Sequence, residues 1–126
     1  MPSYTLSPMF DPQFVPGAVA ALPFATTGNP TAVPAGAAYQ IAVARVANVT
    51  NQPVNLTLWR VPQGAAADNQ HLVVPQIAFP PASASFPWMD LSTLWGIVLQ
   101  PGDSIVALAS VAAALVIHAD GVIVGP

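Results

Sequence analysis

The sequence predicts an all-β fold, a sandwich or a barrel, on three observations. Fifteen prolines and eight glycines in 126 residues interrupt the chain too often for long helices. Short apolar segments alternate with turn signals roughly every 8 to 15 residues, the spacing of many short strands. Within them side chains alternate, as in Val54-Asn55-Leu56-Thr57-Leu58, where Val54, Leu56 and Leu58 face one way and Asn55 and Thr57 the other.

Residues 1–17 read as an arm. Pro2, Pro8, Pro12 and Pro16 fix φ and remove donors, so the segment is extended or PPII-like. Tyr4, Leu6, Met9, Phe10 and Phe14, spaced between the prolines, are its candidate partner-binding residues. An arm without pairing frays unless it is tied down, so it docks on its own domain or on a neighbour.

Residues 18–126 form the sandwich domain, with candidate strands at 18–26, 39–49, 53–61, 71–79, 84–90, 95–99, 104–110 and 113–124. Thr27-Gly28-Asn29-Pro30 and Pro34-Ala35-Gly36 are turns leading into the second strand, and Asn51-Gln52-Pro53 connects it tightly to the third. A small-residue loop runs from Gln63 to Gln70, and Pro101-Gly102-Asp103 turns into the strand that starts at Ser104. Apolar residues on both sides of Leu115 to Ile117 imply a strand covered on both faces. Val111 to Leu115 also suits a helical turn, but Ser110 and the Asp120-Gly121 turn signal bound a run of strand length. No fixed-period repeat is present, which excludes a solenoid or propeller.

Charge is the most unusual property. The chain is 54% hydrophobic and 6% charged, with two arginines, five aspartates and neither lysine nor glutamate; an ordinary domain carries about 25% charged residues. Two cations cannot supply the phosphate contacts of nucleic-acid binding. Steering toward an anionic membrane is equally weak. The longest apolar run, Ser104 to Ile117, spans 14 residues, fewer than the ~20 of a spanning helix, and reads as two strands. The opening residues lack a basic region and are interrupted by proline, unlike a signal or transit peptide, so folding in a cytoplasm is expected. Without cysteine there is no disulfide or thiolate site. So few charges imply a surface of small polar residues and alanine, or one largely occupied by other subunits, whose contact cores are depleted in charge. The competing reading is drift in an alanine-rich chain.

Candidate chemistry is sparse. His71, His118 and the aspartates are the only groups suited to proton or metal work near neutral pH. His118 and Asp120 share a strand face, which suits an oriented imidazole or a metal pair, or equally a polar strand end. Asp68 near His71 reads as a solvated turn. There is no nucleophile elbow, no phosphate loop and no calcium loop, and no two acids lie closer than 13 residues. Neither enzyme activity nor a cofactor or metal is expected. Trp59, Trp88 and Trp95, with Phe79 and Phe86, form a candidate aromatic platform for a sugar or apolar ligand, or else close the end of the core. Arg45 and Arg60 fall on adjacent predicted strands, each available to an aspartate. Asn48-Val49-Thr50 and Asn55-Leu56-Thr57 match the glycosylation pattern and read as chance matches without a secretory signal.

The order of segments carries a resemblance. Val33-Pro34-Ala35-Gly36, then Tyr39–Thr50 with its terminal Asn48, then Val54–Pro62, then Leu99–Ile105 around Pro101-Gly102-Asp103, then Ile117–Val122, resembles small β-sandwich virion proteins of tailed bacteriophages. The likeness covers about residues 33–124. Met1–Pro8 is also similar to the opening of some phage tail proteins, whose glycine-rich continuation is absent here. The resemblance implies a single jelly-roll-like antiparallel β-sandwich with an extended proline-rich N-terminal arm. It also implies a non-enzymatic virion subunit: a capsid decoration (cement) protein, or else a tail, neck or head-fibre component. Its partners would be itself, as a homotrimer, and the major capsid protein or other virion subunits, with no nucleic acid and no membrane. The arm is then the clamp, and deleting 1–17 is expected to leave the domain folded while weakening attachment. The rival of another class is a carbohydrate-binding module using the tryptophans.

Overall fold

A computed structural model describes residues 6–26, 28–83 and 87–125. Its strands are β1 (Ser7–Phe14), β2 (Ala20–Ala21), β3 (Ala38–Asn48), β4 (Val54–Val61), β5 (Leu72–Phe79), β6 (Met89–Asp90), β7 (Val98–Leu99), β8 (Ser104–Ala109) and β9 (Leu115–Val124). Two antiparallel sheets pack face to face as a β-sandwich. One runs β1-β9-β3-β6 with β7 also on β3, and the other runs β2-β8-β4-β5. Leu91 and Gly96 donate backbone N–H groups to Ala44 and Ile41, so β6 and β7 are two ends of one strand interrupted by a short 3-10 turn at Ser92–Leu94. With that strand counted once, first pairs with last, second with last but one, third with sixth and fourth with fifth. This nesting is the wiring of a jelly roll. Among the described residues no helix is long and apolar enough to cross a membrane.

Alternation builds the core. In β4 the buried residues are Val54, Leu56, Leu58 and, past a break in the alternation, Val61, and in β8 they are Ile105, Ala107 and Ala109. Phe24 stacks on Phe10 at 5.1 Å between centroids and meets Tyr39 edge to face at 5.0 Å. Each such side chain contributes about 1.5–3 kcal/mol by leaving water. The Tyr39 hydroxyl, at the end of this cluster, donates to Thr26 Oγ1 at 3.2 Å.

The N-terminal segment is extended and docks on its own domain, but as an edge strand rather than a separable arm. β1 pairs with β9 from Ser7↔Gly121 to Phe14↔Val116, with irregularities after Pro8 and after Phe10. Met9, Phe10 and Val15 lie in the core. A proline is tolerated on an edge strand where its missing N–H faces outward. Residues 7–15 thus contribute to both the edge and the core of the sandwich, so deleting residues 1–17 would take Met9, Phe10 and Val15 out of that core.

Other local readings change; of the candidate strand at 18–26 only Ala20–Ala21 is strand. Residues 110–114 form a tight turn with Ala113 at φ +54°, neither helical nor strand, and β9 starts at Leu115. Gly121 lies inside β9 opposite Ile41, not in a turn. A Cβ there would strike the Gln40 carbonyl and come within 2.8 Å of Met9 Cε, so this glycine marks a close backbone approach.

Candidate functional site

Residues directly opposite in a ladder share a face, so the register fixes what each sheet shows to the outside. On the first sheet His118 of β9, Arg45 of β3 and Asp90 of β6 form one row across three strands. The next row holds Pro8, Asp120 and Val43, and the one beyond it Val122, Gln40 and Val98. Arg45 Nε donates to Asp90 Oδ1 at 3.1 Å; both side chains are about half exposed, so the pair contributes at most about 1 kcal/mol. Trp88, just before β6, reaches over β3 to His118 on β9, with ring centroids 4.7 Å apart and planes at 89°. Beneath that path lies Ala47, which is on this outer face and yet only 8% exposed.

Around this polar row the face is apolar. Phe14 is 52% exposed, Val124 54%, Trp88 38% and Val98 38%. Val43, Val116 and Val122 lie between them, half-buried. No layer of the described residues covers this face. The outer face of the second sheet carries Trp59, Val106 and Ala21 in one row and Thr57 with Leu108 in the next, and none of them is charged. Both faces suit contact with another macromolecule better than turnover of a small substrate.

The tryptophans do not form one platform. Trp59 lies on the second sheet, whereas Trp88 and Trp95 border the first, Trp95 Nε1 donating to the Ala44 carbonyl at 3.4 Å. Phe79 is in the core, and Phe86 lies outside the described residues. Three surface depressions of about 180, 260 and 470 Å³ are lined by other residues and contain no tryptophan. Of the five arm residues proposed to bind a partner, Met9 and Phe10 are buried and hence unavailable, because β1 uses them to close the core. Leu6 and Phe14 are exposed, and Tyr4 lies outside the described residues.

His118 and Asp120 do share an outward face, yet among the described residues no group of three His, Cys, Asp or Glu could hold a metal. His71 Nδ1 sits 2.9 Å from both the Ala66 carbonyl and Asp68 Oδ1, so its ring is tied into its own loop. Arg45 and Arg60 each meet an aspartate, but on different sheets rather than adjacent strands. Arg60 Nη2 lies 3.1 Å from the buried Asp103 carboxylate, which also accepts the Gln100 N–H at 2.9 Å. That pair fastens β4 to the turn before β8. The row joining His118, Arg45 and Asp90 escaped the sequence reading because its members lie on three strands, one of them two residues long. No family model matches the chain, and no curated protein or solved structure matches it either.

Proposed function

We propose that this chain is a structural subunit of a bacteriophage virion, a capsid decoration protein that works by packing its outer sheet faces against copies of itself and against shell subunits. One observation carries the reading: a chain with 6% charged residues shows apolar side chains on the outside of both sheets, with no layer of the described residues over either. The jelly-roll wiring, an architecture shared by viral capsid and lectin domains, supports it. So does the sequence resemblance to small phage virion proteins. Function here is contact, and burial of apolar area at about 25 cal/mol per Å², less the ordering cost of association, is what would reinforce a shell. The resemblance adds a homotrimeric state. A tail, neck or head-fibre subunit of the same fold is the alternative.

The test is co-sedimentation of the purified chain with phage shells lacking it, followed by counting copies per particle. Saturable binding at hundreds of copies supports decoration; a dozen or fewer moves the chain to the tail or neck. No retention on any particle, together with quenching of tryptophan fluorescence by a glycan that is lost in Trp88→Ala, replaces the proposal with carbohydrate binding.

A further inference from the structure

The strand edges direct how a second copy can approach. β1 carries Pro8 and Pro12, β5 carries Pro75, β2 is two residues long, and the fourth edge is broken into the two-residue β6 and β7. Edges blunted in this way resist extension of the sheet by another strand. A second copy must therefore meet the molecule face on.

Burying the outer face of the first sheet requires that its polar groups find partners. Arg45 already has Asp90 at 3.1 Å. His118 and Asp120 remain; among the described residues neither side chain takes part in a hydrogen bond or an ion pair, and the His118 side chain has only its ring contact with Trp88. The two project the same way from β9, about 7 Å apart along the strand. A two-fold axis lying in the contact plane, crossing the strands at the level of Ala119, brings His118 of one copy onto Asp120 of the other and repeats the pair in reverse. An isologous contact of this kind satisfies both groups with one interaction made twice. The face is large enough. Its long strands run about 33 Å and its four columns span about 19 Å, so with side-chain relief it approaches the ~800 Å² per partner of a stable interface. That is about an eighth of the molecule's 6634 Å² surface.

We propose that a second copy of this chain docks on the outer face of the first sheet, with reciprocal His118–Asp120 pairs at the centre and Phe14, Trp88, Val98 and Val124 around them. The proposal rests on the reading that this face is an assembly surface and names its occupant; the three-fold contacts of the homotrimer that the resemblance implies would then fall elsewhere, with the uncharged face of the second sheet free for them.

Sedimentation velocity of the full chain across a concentration series tests it. The wild type is expected to self-associate. His118→Asp sets acid against acid and Asp120→His sets imidazole against imidazole, so each single variant should associate about tenfold more weakly or worse. The double exchange, His118→Asp with Asp120→His, recreates both pairs across the axis and should return association to within about threefold of the wild type. Val98→Asp, at a site already 38% exposed, should also dissociate the pair with the circular dichroism spectrum unchanged. A monomeric wild type at 100 µM, association indifferent to Val98→Asp, or folded single variants that the double exchange does not rescue would each overturn the proposal. Shell binding is scored separately: a monomer that still decorates shells sinks this pairing alone, whereas a dimer that binds no shell sinks the virion reading alone.

Discussion

Trp88 and His118 meet edge to face at 4.7 Å although β3 lies between β9, which carries His118, and β6, which Trp88 precedes. The indole thus lies across β3 and shields Ala47 and one side of the imidazole. In Trp88→Ala the His118 ring protons should move toward random-coil positions in the NMR spectrum, because the neighbouring ring current is gone. Stability should fall by only about 1–2 kcal/mol, since the side chain is 38% exposed in the wild type. Unchanged His118 resonances would place Trp88 elsewhere.

Gly121 tolerates no side chain for a reason unrelated to turns. Its Cα faces the Gln40 carbonyl on β3 and the Met9 methyl on β1, so a methyl group there meets rigid backbone on one side. Gly121→Ala should cost about 3 kcal/mol or more and lower the thermal midpoint by more than about 10 °C. A loss under about 1 kcal/mol would show that β3 yields at its bulge.

Asn48, only 3% exposed, ties three segments together. Its Nδ2 donates to the carbonyls of Gln52 at 2.7 Å and Phe79 at 2.9 Å, and its Oδ1 accepts from the Thr50 N–H at 3.0 Å and the Thr50 hydroxyl at 2.7 Å. Both amide hydrogens are committed, so this asparagine is unavailable to glycosylation in the folded chain despite its Asn48-Val49-Thr50 pattern. Asn48→Ala removes this donor from the Phe79 carbonyl and leaves the Gln52 carbonyl with the Thr50 hydroxyl alone, at 3.0 Å, and should cost about 2–4 kcal/mol in chemical denaturation. Asn48→Asp should be worse at pH 7, where a carboxylate faces those carbonyls. Burial and the facing oxygens raise the introduced carboxyl's folded pKa above its unfolded value of about 3.9. The folded state then binds the extra proton, so this variant should gain stability relative to wild type as pH falls from 7 toward 4. A deficit independent of pH would contradict the hydrogen-bond assignment.

The fold was legible wherever alternation was unbroken. β4 follows its polar and apolar order from Val54 to Leu58, β8 alternates in burial from Ser104 to Ala109, and the turn at Pro101-Gly102-Asp103 lies where the sequence puts it. The outward row was not legible, because β3 contains a bulge between Ile41 and Val43. Strict alternation from the outward Gln40 turns Arg45 into the core; the extra residue flips the parity and sends it out beside His118. The interrupted β6–β7 strand was equally hidden, since its pairing depends on the length of β3 rather than on any pattern of its own. Proline concealed β1, because prolines at this density signal an unpaired segment unless a neighbouring strand is known to lie alongside.

That concealed strand makes the last prediction. β1 buries Met9 and Phe10, and Val15 follows with its N–H donated to the Leu115 carbonyl at 2.8 Å. Losing these three from the core removes about 5–9 kcal/mol, comparable to the ~5–15 kcal/mol that holds a domain folded. Deleting residues 1–17 should therefore unfold or aggregate the chain. Phe10→Ala should lower stability by about 3–5 kcal/mol, because the stack on Phe24 is lost and a cavity opens beside that ring. Phe14→Ala, on the outer side of the same strand, should stay within about 1 kcal/mol of the wild type and affect association instead. Guanidinium melts of the three variants separate the roles: a deletion that melts like the wild type would mean that β1 is an appendage after all, with Met9 and Phe10 free to reach a partner.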